Sequence, residues 1–200
     1  MNRSINLAAY EAYLKERLTP QRFEHSFGVM KTMEELAPIY NLDLHQARLA
    51  GLLHDAAKEL PEGEWMSLVK DNEQLLLDFK EYDYHRYLHG PVGVILIQRD
   101  LHVEDEEVLA AIAAHGYYGP WEPFNRPLSW CLRFADILEP GRDWRNNHWL
   151  NSLVSPLRDA AYGGQWREAA SIITRRLAEW YEHDGVAIHP NIRRVADRFC

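Results

Sequence analysis

Six residues spread over more than a hundred positions carry the chemistry this sequence offers: His25, the adjacent pair His54-Asp55, His89, His115 and Asp136. Ten histidines in 200 residues exceed what packing requires, which directs attention to imidazole chemistry. On the stripe Val29, Met33, Leu36 and Tyr40, His25 lies one turn before Val29, on the inward face. Leu44, Ala47 and Gly51 mark a second apolar face that runs on into His54, Asp55 and Lys58, while Val108, Ala111 and Ile112 lead to His115. Asp136 sits inside SWCLRFADIL, a run so apolar that an ionised carboxylate there is costly unless it is paired or binds metal. His89 stands just before Pro91, at an expected helix start. Read singly, each histidine is equally an ordinary hydrogen-bonded core residue, and Asp136 a partner for Arg133 or Arg142. Read together, the six come from four helices and a loop, the way bundles build di-metal sites from inward side chains. Four imidazoles and two carboxylates suit Fe, Mn, Co or Zn better than Ca or Mg. Neighbours on a helix point about 100° apart, so His54 can ligate one ion while Asp55 bridges two.

The elements that must position these residues read as helices nearly throughout. The periodicity predicts helices at about 6–18, 20–39, 43–57, 62–70, 90–99, 104–115, 126–138, 146–161, 165–183 and 190–198. Pro20 opens one, Asp43 caps another, Pro91 fits a first turn, and Gly116 closes the run that ends at His115. The β-like stretch VGVILIQ at 92–98 is explained equally well as buried helix. The expectation is an all-α, single-domain helical bundle over 1–200, with a metal-site core at about 20–140 and C-terminal helices at about 146–198. The Gly- and Pro-rich segment 116–127 reads as a rigid loop beside the site.

A net charge of −8 without any Lys/Arg run argues against a nucleic-acid partner. It also means that a polyanionic substrate needs local help, from metal ions or a few well-placed cations. No apolar run approaches the roughly 18–20 residues that span a bilayer, so no membrane partner is expected. Cys131 and Cys200 propose no disulfide framework, and the charged start lacks a signal-peptide core, which together suggest a cytoplasmic protein.

The ordered set His25, His54-Asp55, His89, His115, Asp136 resembles the HD-domain metallophosphohydrolases. The strings RFEHSFGV (22–29), AGLLHDAAKEL (50–60), LHGPVGV (88–94) and FADILEPGRD (134–143), with AIHPN near the C-terminus, are similar to the bacterial YqeK family. Members of that family hydrolyse diadenosine tetraphosphate symmetrically to ADP. The resemblance covers about residues 8–195 and implies the HD-type bundle and two divalent ions, iron first, with Mn, Co or Zn as alternatives. It implies that His25, His54, Asp55 and Asp136 hold one ion, that Asp55 bridges, and that His89 and His115 hold the second. It further implies a nucleotide substrate attacked by hydroxide, since a dinuclear centre brings the pKa of water from 15.7 to around 7. One departure stands out: the family's His-Thr-x-Gly is here His115-Gly116-Tyr117-Tyr118-Gly119, so the loop bordering the substrate differs and base preference with it.

Asp55 and Lys58 are therefore the expected catalytic residues, and Lys58, Arg142 and Gly119 the expected substrate contacts. Lys58 either holds a phosphate or orients the nucleophile, unless it is a solvated helix-end cation. Arg142 is either a fork for a terminal phosphate or a partner of Asp136, Glu139 or Asp143. Tyr117, Tyr118 and Trp121 either stack an adenine or cover the core. His183-Asp184 reads as a helix C-terminus before Gly185, His189 serves a turn, His45 and His102 are expected at the surface, and His85 has no assigned role. The series Trp144, Trp149, Trp166 and Trp180 reads as core or dimer surface, leaving a homodimer open. Two competing functions remain: an HD nucleotidase or phosphodiesterase on another nucleotide, and a nucleotide-binding sensor without turnover.

Overall fold

Thr19 and Pro20 begin the helix that carries the first histidine: Thr19 Oγ1 accepts from the Arg22 amide at 3.4 Å, and the proline sits where a missing N–H costs nothing. A computed structural model describes residues 7–116 and 126–199, and all regular structure among them is helical. The helices are α1 (Leu7–Arg17), α2 (Pro20–Ile39), α3 (Leu44–Leu53), α4 (Glu62–Val69), α5 (Glu73–Glu81) and α6 (His89–Leu101). They continue as α7 (Glu106–Ala114), α8 (Pro127–Leu138), α9 (His148–Tyr162), α10 (Trp166–His183) and α11 (Pro190–Phe199). The all-α expectation holds, and the segment 92–98 is helical within α6.

Three details differ from the sequence reading. α3 ends at Leu53, and residues 54–59 form successive turns rather than continued helix. α5 was not anticipated. A five-residue π turn, Tyr84–Leu88, runs directly into α6, closed by the His89 N–H on the Tyr84 carbonyl. Pro91 explains the wide turn. It has no N–H to return to the Tyr87 carbonyl, and π turns are a common way for a helix to absorb such a break. His89 therefore sits at a junction inside a longer helical segment, not at a free helix start.

α8 is the hub. Every residue from Leu128 to Leu138 is buried, and the helix packs on α2, α3, α7, α9 and α10. The most extensive packing joins α2 to α3, the two helices that deliver His25 and His54-Asp55. Gly51 permits that approach: a Cβ added there would lie 2.7 Å from Met30 Cα and 2.9 Å from Met30 N, both backbone atoms that cannot step aside. Asp43 caps α3 as expected, accepting from the His45 and Gln46 amides, and Asp105 does the same for α7. α9, α10 and α11 pack together, with α9 and α10 closing on α8.

A pair of glycine substitutions tests this packing. Gly51→Ala should lower unfolding free energy by about 1–3 kcal/mol in urea denaturation, because overpacking must part α2 from α3. Gly63→Ala, where an added Cβ meets nothing within 4 Å, should be neutral or stabilising by up to about 1 kcal/mol.

Candidate metal centre

The bundle brings all six predicted residues to one point between α2, the turn after α3, the start of α6, the end of α7 and α8. His25, His54, Asp55, His89, His115 and Asp136 are all buried, His54 completely. Two of the imidazoles are oriented by their own helices. His54 Nδ1 donates to the Gly51 carbonyl at 2.8 Å, and His115 Nδ1 to the Ile112 carbonyl at 2.7 Å. Each bond fixes the tautomer and leaves the Nε2 lone pair facing the centre. His25 Nδ1 donates to the Glu139 carboxylate at 3.0 Å, so its Nε2 faces inward as well.

Asp55 lies at the middle. Its Oδ1 is 3.1 Å from His89 Nε2, 3.8 Å from His115 Nε2 and 3.7 Å from His54 Nε2, while its Oδ2 is 3.8 Å from His25 Nε2. Asp136 Oδ1 is 3.2 Å from His25 Nε2 and 3.9 Å from His54 Nε2. Two groups fit a metal ion by proximity, each with ligand atoms within 4.8 Å of one another: His25, His54 and Asp136, and His54, Asp55 and His115. His54 belongs to both. His89 completes the second side through Asp55 Oδ1 and through His115, whose Nε2 is 2.8 Å from its own.

The electrostatics set the protonation states that metal binding requires. Burial alone would raise the Asp136 pKa. Arg142, the His25 hydrogen bond and Arg133 outweigh it and hold the carboxyl well below its usual range. Asp55 is likewise held low against desolvation by Lys58, His54, His115 and His89. Complete burial brings His54 down to about 3, and burial together with Lys58 keeps His89 far below its ordinary value. For His25, burial lowers the pKa, but the hydrogen bonds to Asp136 and Glu139 prevail and raise it. The result is two carboxylates and two plainly neutral imidazoles in one buried space.

Two observations test whether a cation fits. His54 Nε2 is buried and has no hydrogen-bond partner among the described residues, a costly state for a lone pair unless a ligand uses it. Arg142 Nη2 lies 3.0 Å from His25 Nε2 and 2.6 Å from Asp136 Oδ1, so a positive group already stands where these two ligand atoms converge. The donor set fits a divalent metal.

Of the predicted cations, Arg142 is therefore paired with Asp136, one of the two alternatives its position offered, while sitting at the mouth of the site. Lys58 is no solvated cation. Its side chain is 17% exposed, Nζ donates to the His85 carbonyl, and it lies 3.3 Å from both His89 ring nitrogens and 4.0 Å from Asp55 Oδ1. Burial lowers its pKa, against the pull of Asp55 and Asp136. His85 thus contributes a backbone carbonyl. Gly119, Tyr117, Tyr118 and Trp121 lie outside the described residues. His183 is exposed at the end of α10, as expected, His102 is exposed, and His45 is half-buried.

Sequence reasoning missed Glu139 and Arg22. Glu139 is buried, orients His25, and accepts from the Gly141 amide at 2.6 Å. A Cβ at Gly28 would come within 2.5 Å of its Oε2, so that glycine makes room for the carboxylate. Arg22 Nη1 donates to Asp55 Oδ2 at 3.0 Å. Each stands one helical turn from a predicted ligand, Glu139 after Asp136 and Arg22 before His25, which is the signal that could have found them.

Two cavities open on either side of Arg142 and Trp144, which line both. The larger, about 820 Å³, runs past Arg22, His25, Phe27 and Lys31. The smaller, about 160 Å³, lies against Asp55, Lys58, Arg86, Trp180 and Tyr181.

Comparison with known proteins agrees with this arrangement. The family model described as HD domain matches residues 22–144, which contain the six residues and their second partners Arg22, Glu139 and Arg142. The chain belongs to the HD-domain family. Relatives of this HD-domain protein include the symmetrical bis(5'-nucleosyl)-tetraphosphatase of Bacillus subtilis, 34% identical over 71% of this chain and 72% of that one. The protein of the same name from Staphylococcus aureus is 33% identical over 79% of this chain and 75% of its own. A crystal structure from Clostridium acetobutylicum, titled a predicted HD superfamily hydrolase involved in NAD metabolism, superposes with a TM-score of 0.81. It is 29% identical, covering 98% of this chain and 97% of that one. HD domains bind divalent metals, and the His/Asp groups here can hold such an ion. None of the described helices is long and apolar enough to cross a membrane.

Glu139→Gln tests the orienting role. The isostere keeps the volume but weakens the bond to His25 Nδ1, and divalent-ion affinity, measured by competition with a chelator, should fall 10- to 100-fold with the helical signal unchanged.

Proposed function

We propose that this HD-domain chain is a metal-dependent phosphohydrolase that cleaves dinucleoside polyphosphates, diadenosine tetraphosphate first among them, symmetrically to two ADP. The observation that carries the reading is the position of Asp55, with one carboxylate oxygen toward His89 and His115 and the other toward His25. A carboxylate so placed suits a bridge between two cations. The kinship with relatives named symmetrical tetraphosphatases supplies the substrate.

His25, His54, Asp55 and Asp136 would hold one divalent ion, and Asp55, His89 and His115 the second, with iron the expected metal and Mn, Co or Zn able to replace it. When bound, such a pair makes hydroxide available at neutral pH and neutralises charge on the phosphates. The remaining work belongs to the chain. Glu139 and the Gly51 and Ile112 carbonyls keep three imidazoles facing inward. Lys58, held beside Asp55 by the His85 carbonyl, places a positive charge against the middle phosphates. Arg142 offers its guanidinium at the mouth, where it can turn from Asp136 to a phosphate oxygen. Water attacks one middle phosphorus in line, its bond to the central bridging oxygen breaks, and ADP departs. The second ADP carries the oxygen from water. These cations answer the unfavourable net charge of −8 locally.

Incubation with diadenosine tetraphosphate and Mn or Co, followed by nucleotide separation, should yield ADP as sole product. AMP plus ATP, or no turnover by metal-loaded protein, contradicts the reading. Asp55→Ala should abolish hydrolysis, a loss of at least 1000-fold with the fold retained (about 4 kcal/mol at 1.4 kcal/mol per tenfold). His183→Ala should leave the rate within twofold. Retained activity in the first, or a large loss in the second, places the centre elsewhere.

A further inference from the structure

α4 and α5 supply none of the described residues that line the metal centre or its two cavities, yet they brace the segment that does. Trp65 of α4, Phe79 of α5 and Tyr84 of the π turn hold their rings within 22° of parallel. The centroids are 4.3 Å apart for Trp65 and Phe79, 4.9 Å for Trp65 and Tyr84, and 5.9 Å for Phe79 and Tyr84. Ring contacts of this kind fix the plane of the Tyr84 side chain beyond what area burial alone would do. That side chain is buried, and its hydroxyl donates to the Ala57 carbonyl. Burial, helped by the Asp55 charge, pushes the phenol's pKa up, so it remains a donor. The turns it reaches are held internally by i→i+3 bonds: the Ala56 amide on the Leu53 carbonyl at 3.1 Å, Lys58 on Asp55 at 2.9 Å and Leu60 on Ala57 at 3.3 Å. Such bonds have poorer geometry than those of an α-helix, so the turns depend on ties from outside. Those ties fall on either side of Lys58. Glu59 accepts the Thr19 amide at 2.7 Å and its hydroxyl at 3.0 Å, and Ala57 accepts Tyr84. Lys58 Nζ in turn donates to the carbonyl of His85, the residue after Tyr84. Two bonds, one in each direction, thus clasp residues 57–58 to residues 84–85.

We propose that Tyr84 is a positioning residue for hydrolysis: its hydroxyl, aimed by the rings of Trp65 and Phe79, fixes through Ala57 where the Lys58 ammonium stands beside Asp55 and His89. The inference rests on the phosphohydrolase reading above and on the role given there to Lys58, and it deepens both. Lys58 Nζ lies 3.3 Å from both His89 ring nitrogens and 4.0 Å from Asp55 Oδ1, a placement with little slack. A misplacement of ~1 Å in a group that must meet reacting atoms can cost about 100-fold in rate, even when its cause lies away from the chemistry. Tyr84 lines neither cavity, so its hydroxyl acts through Lys58 and not on substrate. The same residue also holds the other side of the clasp, because its backbone carbonyl accepts the His89 N–H. α4 and α5 then have a part in the reaction without touching it: they hold the ring that holds the turn.

Tyr84→Phe keeps the stacked ring and removes only the hydroxyl. With manganese-loaded protein and diadenosine tetraphosphate, kcat should fall about tenfold while KM stays within twofold, as for a group that never meets substrate. Lys58→Met should cost more, and in that background Tyr84→Phe should cost nothing further. A hydroxyl that served stability alone would cost the same with and without Lys58. Trp65→Leu, which loosens the stack from outside, should lower kcat about threefold, again with no effect in the Lys58→Met background, and it carries the test if Tyr84→Phe fails to fold. Amide hydrogen exchange reads the tether without any substrate: in Tyr84→Phe it should quicken about tenfold at Lys58 and Leu60 and stay unchanged in α9 and α10. Unchanged kcat or unchanged exchange in Tyr84→Phe, or a loss of kcat that persists in the Lys58→Met background, overturns the inference. The two readings fail separately. Hydrolysis by the parent and by Tyr84→Phe at one rate removes the positioning role alone, while faster exchange at residues 58 and 60 in a protein whose parent does not hydrolyse diadenosine tetraphosphate removes the substrate assignment alone.

Discussion

Two ionised carboxylates in the interior of a helical bundle are the constraint around which this molecule is arranged. Asp55 and Asp136 are 2% and 7% exposed. Taking a carboxylate out of water costs several kcal/mol even after relaxation, so each needs compensating positive charge within a few ångströms. The chain supplies it from four places: Arg22 from α2, Lys58 from the turns after α3, Arg133 from α8 and Arg142 from the segment that follows. Removing any one partner leaves a buried charge under-compensated. This is why the site and the core cannot be separated, and why α8, which carries Asp136, is also the most enclosed helix.

The histidines complete the arrangement from the other direction. Backbone carbonyls or a buried carboxylate take the outer nitrogen of His54, His115 and His25, and the inner nitrogens are left to the centre. Burial then keeps His54 and His89 neutral. A lone pair that is buried, fixed and without a protein partner is unfavourable in the fold by itself, and a site that retains one is shaped for a cation. The close crossing of α2 and α3 at Gly51, and the room for Glu139 beside Gly28, show the backbone yielding to the same demand.

Much of this was legible in the sequence because the six residues sit on apolar stripes, where a polar group is conspicuous. The all-α class followed from periodicity, and the structure adds the convergence that periodicity cannot express. What escaped has physical reasons. α5 (Glu73–Glu81) is only nine residues long and buries Leu75 alone, too short a run for its periodicity to stand out. The end of α3 at Leu53 and the π turn before His89 depend on tertiary packing and on Pro91 acting backward along the chain, which a forward-looking helix rule misplaces. Glu139 entered only as a possible partner of Arg142, because the contacts that bury it come from α2, more than a hundred residues away. Arg142 was left between two roles, and the coordinates give it the ion pair while leaving it at the mouth of both cavities.

The most direct measurement is an anomalous difference map from crystals of the protein loaded with manganese. The account predicts two peaks per chain, both contacted by the Asp55 carboxylate, one beside His25, His54 and Asp136 and the other beside His89 and His115. A single peak, or peaks that Asp55 does not touch, would contradict it.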